Sequence, residues 1–95
     1  MTLDVLVEEV GEKVNVGKQS EFWKTEVIGK VEGQYPKFFK FEFVQGNADV
    51  PENLIEGTYA RIHFAMEGKK VESKKKGEAP NYFVTLQGWK VEPVE

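Results

Sequence analysis

Ninety-five residues with a formal charge of −3 and no cysteine make one small domain over residues 1–95, with a modest core and neither a disulfide nor a thiolate metal site. No apolar run approaches the roughly 18 residues a membrane helix needs, and Met-Thr-Leu-Asp-Val opens no secretory pattern, so a cytoplasmic protein without a membrane partner is expected. The charge argues against an indiscriminate polyanion binder, yet it is unevenly spread. Acids crowd the first dozen residues, 49–56 and the tail, whereas lysines occupy 24–40 and 69–76, which allows a basic face on an acidic protein.

Valine and aromatic residues dominate the apolar set and turn-forming breaks recur at short intervals, a pattern of strands. The first strand runs from about Leu3 to Val16, bending near Gly11. The second covers about Phe22 to Gly33, with Trp23, Thr25, Val27, Gly29 and Val31 alternating inward. The third, Tyr35 to Gln45, follows a turn at Glu32 and Gly33; alternation puts Phe39, Phe41 and Phe43 in the core and Phe38 with Lys40 outside. One short helix is predicted within Asn47–Glu56, capped by Asn47 or Asp49, with Pro51 in its first turn and Gly57 after it. The fourth strand, Thr58 to Glu67, turns Ala60, Ile62, Phe64 and Met66 inward. A lysine-rich connection from Glu67 to Asn81 leads to the last strand, Tyr82 to Val91, where Trp89 is assigned to the core. This order predicts an all-β, five-stranded OB-fold Greek-key barrel with one short helix between strands 3 and 4; an SH3-like barrel and an open meander are the alternatives.

The only histidine, His63, has no metal-ligand spacing around it, and no nucleophile set or phosphate-binding glycine loop is present. No enzyme activity, metal or cofactor is expected. What the residues do pair is lysine with aromatic: an ammonium meets phosphate while a ring stacks on an unpaired base. Phe38 and Lys40, beside Lys24 and Lys30 of the second strand, form such a surface, or else a cross-strand pair on a solvated sheet. Trp23 is a stacking platform or a core anchor. Tyr35 with Lys37 is a base and phosphate contact or a barrel cap. Lys69, Lys70, Lys74, Lys75 and Lys76 close over a phosphate backbone or merely solvate a loop, and Arg61 extends the same surface.

Trp23-Lys24, Gln34-Tyr35-Pro36-Lys37, Phe41-Glu42-Phe43, Gly57 and Gly88-Trp89-Lys90-Val91 resemble small OB-fold single-stranded DNA-binding proteins of phages and bacteria, including a related bacterial domain family of unknown function. The likeness spans most of the chain. It implies a non-catalytic protein that binds single-stranded DNA, or RNA, largely without sequence preference, in replication, recombination or repair, and in the host cytoplasm if the protein is phage-encoded. The long Gly- or Gln-rich linker and acidic tip of typical bacterial relatives are not seen after Val91, so a compact, phage-like protein that dimerises or binds cooperatively is the closer comparison. The alternative is an oligomeric protein-interaction barrel in which another subunit buries Phe38 and Ile28 and no nucleic acid is bound.

Overall fold

The computed structural model describes residues 1–72 and 77–94. Its strands are β1 (Thr2–Val10), β2 (Val14–Asn15), β3 (Trp23–Val31), β4 (Lys37–Val44), β5 (Tyr59–Val71) and β6 (Asn81–Pro93), with 3-10 turns at Gln45–Asn47 and Val50–Asn53. Hydrogen bonding runs β1-β5-β6-β4-β3-β2, and a further pairing of β1 with β3 closes the sheet on itself. Every neighbouring pair is antiparallel except β4 with β6. With the two-residue β2 set aside, this is the expected five-stranded OB Greek key, its short helical segment between the third and fourth barrel strands.

β1 closes the barrel because it pairs on both edges. Leu3 to Leu6 lie against β5, while Leu6 to Val10 lie against β3 with a bulge between Val7 and Glu9. The predicted long first strand therefore breaks after Val10 and resumes as β2. At the break, the Gly11 amide donates to the Glu26 carbonyl, and a side chain there would meet that oxygen at 2.9 Å.

The core comprises Val5, Val27, Phe41, Phe43, Ile62 and Phe64, with Phe41 and Phe64 edge to face at 5.2 Å. Alternation assigned these faces correctly within β3, β4 and the first half of β5. Each phenylalanine taken fully from water contributes about 1.5–3 kcal/mol, so three such rings carry much of a core this small. The predicted helix is instead two 3-10 turns without side-chain caps. Asp49 is committed to Lys13 at 2.9 Å, and the buried Thr25 hydroxyl donates to the Ala48 carbonyl at 2.7 Å, tying the connection to β3.

Beyond the barrel the sequence expectation needs correcting. β5 and β6 continue as a hairpin whose pairing reaches Val71 and Asn81, where a hydrophilic connection was expected. Their barrel neighbours stop short: β1 pairs with β5 only as far as His63, and β4 pairs with β6 only at Phe41–Leu86 and Glu42–Gln87. Met66, expected inside, lies past the last buried layer and is 54% exposed. This arm makes the molecule 52 Å long, and its radius of gyration, 15.3 Å, exceeds the roughly 12 Å of a compact chain this size. Among the described residues, no helix is long and apolar enough to cross a membrane.

Candidate nucleic-acid interface

The outer face of β3 and β4 is set by their register, which places Glu26 opposite Glu42, Ile28 opposite Lys40 and Lys30 opposite Phe38. Two glutamates facing each other would repel, but each takes a diagonal lysine. Lys24 Nζ is 2.6 Å from Glu42, and Lys40 Nζ is 3.2 Å from Glu26. The hydrogen bond to Glu42 raises the Lys24 pKa above its ordinary value, outweighing partial burial. Near the β3 start the face is thus charge-compensated.

Its other end differs. Phe38 is 58% exposed with Lys30 Nζ 6.0 Å from its ring centroid, at the outer limit of a cation–π contact. Lys37 precedes it on the same strand, and Tyr35, 78% exposed, stands in the preceding turn. Among the described residues, Lys30, Lys37 and Lys69 have no ion-pair partner.

Because β4 and β6 pair over only two residues, they splay apart toward the arm. Carrying that register back sets Phe38 level with Phe83 and Lys40 level with Thr85, on the outward side of each strand. Between them lies a cleft of about 390 Å3, lined by Phe38, Phe39, Lys40 and the lysine-paired Glu42 of β4 and by Phe83, Val84, Thr85 and Leu86 of β6. Phe83 is 52% exposed, and its cross-strand partner is Lys69. Two aromatic rings therefore flank one cleft, with a lysine opposite each across its own hairpin.

Phe83 and its neighbour Tyr82 were missed in the sequence. The signal available was Tyr82-Phe83-Val84, three apolar residues without a polar alternate, which a strand with only one buried face cannot hide. The other predicted residues fall elsewhere. Trp23 is half-buried at the far end of β3, with Lys13 Nζ 5.1 Å over its ring and its Nε1 donating to Glu21. Arg61 lies on the β1–β5–β6 wall, donating to both carboxylate oxygens of Asp4 at 2.8 and 3.2 Å, which holds the Asp4 pKa below its ordinary value. Lys70 pairs with Glu72 at 3.1 Å. Lys74, Lys75 and Lys76 lie outside the described residues.

Trp89, assigned to the core, is 50% exposed and packs on His63 at 5.1 Å between ring centroids. The cause is a bulge: His63 pairs with Lys90 and Phe64 with Gly88, leaving Trp89 as the extra residue. His63 Nε2 is 3.4 Å from Glu92 without hydrogen-bond geometry, and among the described residues no acid, cysteine and histidine cluster could hold a metal. A larger groove of about 620 Å3 lies at the opposite end of the barrel, lined by Leu54, Ile55, Tyr59 and Val91 among others, but no lysine or arginine lines it. The cleft beside Phe38 is thus the better match to a phosphate-bearing ligand.

No curated protein matches the chain. The model of a family described as a domain of unknown function, DUF3127, matches residues 3–92, nearly the whole barrel and its arm, and the chain belongs to that family.

Proposed function

We propose that this barrel binds single-stranded nucleic acid, DNA in the first instance, without catalysis and with little sequence preference, in the service of replication, recombination or repair. The observation that supports this is the line Lys30, Phe38, Phe83 and Lys69 across the splayed β4–β6 cleft. A strand laid there can stack bases on the two rings while its phosphates meet the flanking ammonium groups, the division of labour that sequence-tolerant binding requires. Compared with the surface expected from sequence, Lys24 and Lys40 recede, since carboxylates hold them, and Phe83 enters.

Fluorescence anisotropy of labelled oligo-dT, titrated with protein at low ionic strength, tests the proposal. Saturable binding is expected, with Phe38→Ala and Phe83→Ala each weakening it about tenfold, within the ~1–3 kcal/mol attributed to one stacked base. Oligo-dT that never binds, or that binds the doubly substituted protein as well as the parent, rules the proposal out. Oligo-rU run in parallel separates DNA from RNA preference.

A further inference from the structure

Trp89 belongs neither to the core nor to the Phe38–Phe83 cleft, and β6 sets where its ring lies. Phe41 pairs with Leu86 and Glu42 with Gln87, so Leu86 faces the core while Phe83, Thr85 and Gln87 alternate outward. The bulge that makes Trp89 an extra residue keeps its ring on that outward side, packed on His63 of β5. Phe83 and Trp89 therefore mark two points on one track, six residues apart, or about 20 Å at ~3.3 Å per residue. Between them β6 presents Thr85 and Gln87, which are uncharged hydrogen-bonding side chains, and across from Gln87 stands the small, exposed Ala65. Of the carboxylates beside the track, Glu42 pairs with Lys24 and Glu92 with Lys90, whereas Glu67, across from Thr85, has no ion-pair partner among the described residues.

We propose that Trp89 is a third stacking platform, reached by a single strand that leaves the cleft past Phe83 and runs along the outward side of β6. This role presupposes nucleic acid in the cleft and lengthens the bound segment. At the ~3.4 Å spacing of a stacked strand, the distance from Phe83 corresponds to about six further nucleotides, and to fewer if the strand is extended. The residue is half exposed, which leaves ring surface for a base, and packing on His63 fixes its orientation beforehand, so little side-chain freedom remains to be lost on binding. Lys90 and Arg61, the nearest cations on this wall, are committed to Glu92 and Asp4. The contact is therefore stacking without counterion release, which adds affinity and no salt dependence.

Length separates the two sites. Oligo-dT of about 4 nucleotides can fill the cleft without reaching Trp89, whereas about 16 nucleotides can occupy both, these being the extremes of site size for one OB-fold. In Trp23→Phe, Trp89 is the only tryptophan, and its emission is expected to fall on binding the longer oligonucleotide and to stay unchanged with the shorter. Anisotropy should show Trp89→Leu weakening the longer oligonucleotide about tenfold at every salt concentration, Trp89→Phe retaining most of the affinity, and neither variant altering the shorter one. A ring that merely covers His63 would not make the loss depend on length. Binding of the longer oligonucleotide with no change in Trp89 emission, or a Trp89→Leu effect that is absent or equal for both lengths, overturns the role of Trp89 and leaves the cleft in place. Binding of neither length overturns both.

Discussion

A methyl group at Gly88 would sit 2.3 Å from the Cε1 and Cζ atoms of Phe43, a ring with no exposed surface. The ring cannot swing into solvent, so Gly88→Ala is an overpacking substitution, expected to cost about 1–3 kcal/mol. Urea denaturation should show this as a lower midpoint at unchanged slope. In a double-mutant cycle, Phe43→Leu should recover part of the loss, which an effect confined to glycine's backbone freedom would not allow. Gly29 has the same role on the opposite wall, where Val5 occupies the space a Cβ would need at 2.7 Å. The alternation of Phe39, Phe41 and Phe43 was legible because those residues lie in an unbulged stretch of β4. Trp89 was not, because one inserted residue at the β6 bulge reverses the face of its neighbours along the strand, and only pairing with β5 fixes where that insertion falls.

At the scale of strands, the five barrel elements and their order could be read from local alternation and turn residues, but the length of β5 could not. Gly68, Lys69 and Lys70 look like a loop, and they are held extended by Val84, Phe83 and Tyr82, twelve to sixteen residues away in sequence. The candidate site suffered likewise: Phe38 and Lys40 were placed on the correct face, while the carboxylates that occupy Lys24 and Lys40 are brought there by the β3–β4 register. That register yields a prediction. Replacing Glu26 by Gln releases Lys40, which lines the cleft, so Glu26→Gln should tighten oligo-dT binding several-fold at low salt and steepen its salt dependence by about 0.7 in slope. Weaker binding by this variant would mean that Lys40 does not contact phosphate.

Over the whole molecule, negative charge exceeds positive by three, yet of the four described lysines without an ion-pair partner only Lys18 lies before the start of β3; Lys30 and Lys37 stand at the other end of the β3–β4 pair and Lys69 on the arm. An acidic protein with a local basic cleft should bind a polyanion only through the few phosphates that reach that cleft. The plot of log K against log salt falls by about 0.7 per phosphate neutralised on a single strand, so Lys30, Lys37 and Lys69 account for a slope of about −2. Engagement of Lys74, Lys75 or Lys76 would steepen it further, which makes the change on substitution more diagnostic than the starting value. Lys37→Ala combined with Lys69→Ala should flatten the slope by about 1.4, whereas Phe38→Ala should lower affinity at every salt concentration and leave the slope alone, because stacking releases no counterions. Measured together, these variants separate ring from ammonium across the cleft. A slope that the double lysine variant does not change would place the phosphates on another surface of the barrel.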